Sequence, residues 1–132
     1  MPTYLFVTKA EYTPERVASG ECERWSCSST TRDNDRAFVY VNGVGIIYEW
    51  RVTSNASRDP EWTFMCDVEH ARKFAPPITI QELREAVPRK VWAPFHRLGG
   101  YTSLLVPENV VARILALRSP NAGPSTAVSE AS

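Results

Sequence analysis

Trp25, Ser26, Cys27 and Ser28 stand together in the polar run "ERWSCSST". The tryptophan offers a flat π-face, and the small hydroxyl side chains beside it can bond a ring edge without filling the space a ring must occupy. This combination of residue types suits a nucleobase, for which each aromatic stack contributes about 1–3 kcal/mol. Trp25 has no apolar neighbours at helical or strand spacing, so it is expected on a loop, between a helix stop at Gly20 and the next strand. The chain carries three more tryptophans, Trp50, Trp62 and Trp92, with five tyrosines and five phenylalanines. Trp50 falls on the apolar side of an alternating run and is expected in the core. Trp62 opens a strand after a polar loop, and Trp92 follows Arg89 and Lys90.

The residues of common enzyme chemistry form no pattern. Cys22, Cys27 and Cys66 include no CxxC pair, and together with His70 and His96 they match no usual zinc spacing. No spacing supports a cysteine–histidine nucleophile pair. Gly43 and Gly45 sit in a hairpin turn and lack the following helix of a phosphate loop. Asp33-Asn34-Asp35 begins like a calcium loop but has no downstream glycine and glutamate. GxSxG and HExxH motifs are missing. Neither a cofactor nor a metal is expected. An odd cysteine count without a secretory segment reads as reduced thiols in a cytoplasmic protein.

Fifteen basic residues cancel fifteen acidic ones, so bulk charge points to no polyanionic partner. The distribution is uneven. Residues 1–69 hold seven Lys/Arg against eleven Asp/Glu, whereas residues 70–97 hold six against two. Arg89, Lys90 and Arg97 lie in that basic segment and are the candidates for contacting phosphates. No apolar run approaches the roughly 20 residues needed to cross a bilayer.

These residues must be positioned by short elements. Tyr4 to Thr8 reads as a buried strand, and Thr13-Pro14 opens a short helix that Gly20 stops. Ala37 to Val41 is a second strand, joined through the Asn42-Gly43 turn to a third. There Ile46, Tyr48, Trp50 and Val52 share one face. Residues 54–61 read as loop, and 62–69 as a strand with Phe64, Cys66 and Val68 on one side. Pro76-Pro77 is expected to break the pattern. Thr79 and Glu82 form a capping box for a helix that Pro88 ends. A last strand runs from Tyr101 to Val106. An amphipathic helix follows, with Val110, Val111, Ile114, Leu115 and Leu117 as its buried stripe. Residues 119–132 are too polar to order. The expected class is α+β: a small, curved, mixed β-barrel of five to six strands with about three short helices.

In order and spacing these segments resemble EVE domains, members of the PUA-like superfamily and relatives of YTH domains. The first strand, the Trp25-Ser26-Cys27-Ser28 segment, the strand turning into "GIIYEWRV", and then "EWTFMCDVE", "PPITIQEL" and "GGYTSLLVPENVVARILAL" carry the resemblance over residues 4–118. Asp35-Arg36 departs from the Gly-Asp that many relatives have there. The resemblance implies a PUA-like (EVE/YTH-type) mixed β-pseudobarrel and a non-catalytic reader. Such a reader holds a modified nucleobase, such as a methylated cytosine (5-methylcytosine) or adenine, in DNA or RNA through an aromatic cage. Trp25 and Ser26 match the pair that lines the pocket of YTH relatives, with Ser28 beside them. Trp62 and Tyr101 are candidate walls by location. The implied partners are nucleic acid carrying a modified base and a separate nuclease or other effector protein; a monomer with no membrane attachment is expected. The alternative is an ASCH-type hydrolase acting on a modified nucleoside, for which Glu49 and Lys90 are the candidate groups. A protein-interaction domain with a decayed pocket is a third reading.

Overall fold

Both faces of the strands at the sheet centre are apolar, which requires a sheet covered on its two sides. In the computed structural model, which describes residues 2–8, 24–60, 63–99 and 101–118, this is what forms. The strands are β1 (Thr3–Thr8), β2 (Arg24–Ser26), β3 (Arg36–Val41), β4 (Gly45–Val52), β5 (Ser57–Arg58), β6 (Phe64–Ile78) and β7 (Ser103–Val106). Helix α1 (Ile80–Ala86), one 3₁₀ turn (Pro94–His96) and helix α2 (Glu108–Leu117) complete the described elements. The sheet runs β2-β6-β4-β3-β1-β7, with β5 pairing on β6. Among the described strands β1 and β3 run parallel and the remaining pairs are antiparallel.

Alternation along each strand divides the core in two. Leu5, Phe38, Phe74 and Ile78 pack with Leu83 of α1, Phe95 of the 3₁₀ turn, and Val110, Val111 and Ile114 of α2. Tyr4, Phe6, Ala37, Val39, Tyr48, Trp50, Val52, Cys66 and Val68 form the other cluster.

Three expectations need correction here. The described residues hold seven strands rather than five to six, because the segment read as loop holds the two-residue β5 and the segment around Trp25 pairs with β6. Ile46 does not share a face with Tyr48, Trp50 and Val52: it joins the helix-side cluster. A bulge explains this, since Val39 faces Tyr48 while Tyr40 faces Ile46, and the extra residue flips the side chains beyond it. The Pro76-Pro77 pair does not end β6. The ladder to β4 jumps from Lys73 to Ile78, so neither proline occupies a paired position where an N–H would be missed.

The capping box forms as read. Thr79 Oγ1 accepts from the Glu82 amide at 3.2 Å, and Glu82 Oε1 accepts from the Thr79 amide at 3.1 Å. Arg118, at the end of α2, donates to both Glu82 oxygens at 2.8 Å and to the Pro76 and Pro77 carbonyls. In α2, Val110, Val111 and Ile114 are buried and Leu115 and Leu117 half-buried. The helix expected from Thr13 to Gly20 and the tail 119–132 lie outside the described residues.

Candidate functional site

Trp25 is held by a strand rather than a loop. Its partner across β2–β6 is Cys66, and Cys27 extends the ladder by donating its amide to the Phe64 carbonyl at 2.9 Å. The Trp25 ring is half-buried and meets Trp50 edge-on, with centroids 5.1 Å apart and planes at 75°. Trp50 is wholly buried and meets Phe6 in turn at 6.4 Å. The exposed part of Trp25 therefore stands on a fixed aromatic base, a geometry in which ring pairs attract beyond their buried area.

That part of the ring faces a cavity of about 600 Å³. One wall is Arg24, Trp25 and Ser26 of β2 with Met65 of β6. The opposite side comes from the ends of β1 and β3 (Val7, Thr8 and Asn42) and from the segment entering β7 (Leu98, Gly99, Tyr101 and Thr102). The second side is tied together by main-chain bonds: Val7 N–H to Thr102 O at 3.0 Å, Asn42 N–H to Thr8 O at 2.9 Å, and Tyr101 N–H to Leu98 O at 3.1 Å.

Of the residues expected in a base site, the fold brings Trp25, Ser26 and Tyr101 to this cavity. Ser28 does not line it; its hydroxyl donates to Ser103 Oγ at 2.9 Å and ties the segment after β2 to β7. Trp62 lies outside the described residues. Arg89 and Lys90 are exposed on the turn after α1, away from the cavity lining. Arg97 is exposed at the end of the 3₁₀ turn and immediately precedes the lining residue Leu98. Among the described residues none of these three cations makes an ion pair.

Sequence reasoning missed Arg24, Thr8, Asn42, Met65 and Thr102. Arg24 was within reach as the residue before Trp25. Thr8 and Asn42 meet only because β1 and β3 run parallel with their ends in register.

Among the described residues the lining contains no carboxylate, histidine, cysteine or lysine. Glu49 is not a free acid poised at a site: Arg72 Nε donates to it at 2.9 Å and Arg36 lies 3.5 Å away. Lys90 and Glu49 do not converge on the cavity, so the arrangement required by the hydrolase alternative is not formed. Cys27 and Cys66 are buried free thiols; the hydrogen bond to Cys27, together with burial, pushes the Cys66 thiol up, away from nucleophilic character. His96 Nε2 lies 3.1 Å from the Val87 carbonyl, and the His70 ring packs edge-on against Tyr48. Among the described residues no three His, Cys, Asp or Glu side chains are grouped to hold a metal ion. No helix among them is long and apolar enough to cross a membrane.

No family model and no curated protein matches the sequence. Solved structures do match. The crystal structure of human THYN1 in complex with 5-methylcytosine containing DNA superposes with a TM-score of 0.74 at 15% identity, covering 90% of this chain and 98% of that one. The DUF55 domain of human thymocyte nuclear protein 1 gives 0.71 at 15% identity, covering 89% and 99%. A Pseudomonas putida protein gives 0.74 at 20% identity, covering 88% and 99%. This is the EVE-type PUA-like fold. At these identities the likeness is one of architecture, and the curled mixed sheet with helices on one side is its shared feature. In this chain the cavity lies between β2 and the segment entering β7.

Proposed function

We propose that this chain is a non-catalytic reader that binds a modified nucleobase in DNA or RNA. The observation that carries the reading is that Trp25, Ser26 and Tyr101 line one cavity. Its support is the fold shared with human THYN1, whose structure holds 5-methylcytosine DNA. Trp25 serves as the stacking platform and Tyr101 as a second wall of an aromatic cage, with Ser26 and Asn42 bonding the base edge. Extracting a base from a duplex costs a few kcal/mol, and one or two stacks at about 1–3 kcal/mol each offset this. Arg97, and more distantly Arg89 and Lys90, supply cations for the flanking phosphates. An effector protein acting on the bound nucleic acid, and action as a monomer, belong to the same proposal.

Fluorescence polarisation with matched oligonucleotides tests it, comparing cytosine with 5-methylcytosine and adenine with 6-methyladenine at one position. Tighter binding of at least one modified strand, lost in Trp25→Ala, supports the reading. Equal affinity for all four strands refutes it.

A further inference from the structure

Cys27 and Cys66 are free thiols that the base-reading function does not use. Cys66 lies opposite Trp25 in the β2–β6 ladder, and Cys27 follows two residues after Trp25. Residues two apart on a strand share a face, so the two thiols are diagonal neighbours on the face of Trp25. The bond from the Cys27 amide to the Phe64 carbonyl, at 2.9 Å, continues the ladder far enough to hold them there. Both belong to the cluster built around Trp50. The thiols touch, with the Cys66 S–H donating to Cys27 Sγ. That bond is the main cause that holds the Cys27 thiol below its usual value, although burial opposes it. Cys27 is 8% exposed and Cys66 0%. The more acidic thiol is therefore also the one a small oxidant reaches first, with a second thiol beside it to close a disulfide.

We propose that Cys27 and Cys66 are a redox pair, oxidised by hydrogen peroxide to a disulfide that pins the strand carrying Trp25. The Cys27 thiolate attacks one peroxide oxygen. An S–O bond forms, the O–O bond breaks, and the departing hydroxide takes up a proton and leaves as water. Cys27 is then a sulfenic acid, oxidised by two electrons, and no longer the thiolate that keeps Cys66 protonated. The Cys66 sulfur attacks the Cys27 sulfur, the S–O bond breaks, and hydroxide leaves as a second water with the Cys66 proton. Two thiols and one peroxide thus become one disulfide and two waters, and a small thiol such as glutathione reverses the change. Diagonal neighbours across a sheet stand about 7–8 Å apart, whereas the Cα atoms of a disulfide lie about 4.4–6.8 Å apart. Closing the bond must draw the chain at Cys27 toward β6. The strand can yield there, because β2 has three residues, ends the described sheet, and stops one residue before Cys27.

Peptide mapping of the full chain tests this, because trypsin places the three cysteines in separate fragments: Cys22 in 17–24, Cys27 in 25–32 and Cys66 in 59–72. The reduced protein is exposed to hydrogen peroxide, its remaining thiols are alkylated, and the digest is read by mass spectrometry. Fragments 25–32 and 59–72 should appear joined, lighter than their sum by the two thiol hydrogens, and should separate again after dithiothreitol. Cys22→Ser should keep that link and Cys27→Ser should lose it. In the oxidised protein the amides of β2 should exchange with deuterium several-fold more slowly. A link from 17–24 to either fragment, full alkylation of all three thiols after peroxide, or a Cys27 that stops at sulfinic acid would overturn the inference. So would a disulfide that leaves exchange in β2 unchanged, since the bond would then have no hold on Trp25. Neither readout involves nucleic acid, so either result leaves the base-reading function to its own test.

Discussion

Trp25 and Trp50 are five ångströms apart and have different jobs, which single substitutions separate. Trp50 is fully buried between Phe6 and Trp25, so Trp50→Ala should destabilise the fold by about 3–5 kcal/mol, read by chemical denaturation. Its indole N–H has no hydrogen-bond partner among the described residues. Trp50→Phe removes that unpaired donor, whose burial costs about 1–3 kcal/mol, and should therefore lose much less than the alanine variant. A Trp50→Phe protein as unstable as Trp50→Ala would mean the ring's shape, not its packing alone, sets the core. Trp25→Ala leaves the buried core in place but removes the exposed face proposed for stacking. It should weaken modified-base binding by about 5- to 150-fold, equivalent to about 1–3 kcal/mol, while lowering the melting temperature by only a few degrees. A collapse of the fold in that variant would make Trp25 a structural plug.

Among the elements, α1 and α2 are tied together by one shared carboxylate. Glu82 caps α1 and also receives Arg118 from the end of α2. The Arg118 bonds, with those from Thr79, hold the Glu82 carboxyl below the usual carboxylate range. Because the folded form binds its proton less readily, this contact stabilises fully above the ordinary value of about 4.3 and is lost as pH falls through the lower folded value. Arg118→Ala should therefore cost about 1–2 kcal/mol at neutral pH, with less difference from wild type as the solution is acidified. Glu82→Gln should flatten the acid limb of the stability curve; an unchanged limb would show that other carboxylates govern it. Truncation after Arg118 should leave the melting temperature unchanged, since a tail of this composition does not offset its ordering entropy. On the outer surface, neutralising Arg97 should lower the salt dependence of oligonucleotide binding by about one unit of slope, equally for modified and unmodified strands.

For the molecule as a whole, the curl of the sheet depends on a contact no side chain makes. Gly45 has φ +127°, and a Cβ there would lie 2.1 Å from the Ile78 carbonyl oxygen. It is at this point that β4 rejoins the far end of β6 after the register jump. Gly45→Ala must push these strands apart as well as strain the backbone, and should be among the most destabilising small substitutions in the chain. Heteronuclear NMR spectra would show shifts centred on β4 and the end of β6. A spectrum and melting curve like wild type would mean the strands separate there without consequence.

Local signals in the sequence were sufficient for whatever depends on neighbours along the chain. Thr79 and Glu82 announced a cap because the bonds they make span three residues. The apolar runs of β1, β3 and β4 announced strands, whereas the polar company of Trp25 suggested a loop and the residue stands half-buried on β2. Order and spacing also carried the EVE resemblance that the fold bears out. What depends on pairing at long range was not legible. Nothing local tells that Trp25 belongs to a strand against Cys66, that a bulge sends Ile46 to the opposite face from Tyr48, or that Ser28 is bonded to Ser103. Thr8, Asn42 and Thr102 look like ordinary strand ends until β1, β3 and β7 align and close one side of a cavity. Residue types and their spacing determined which chemistry was present; the register between distant strands decided where it meets, because a shift of one residue turns every side chain to the other face.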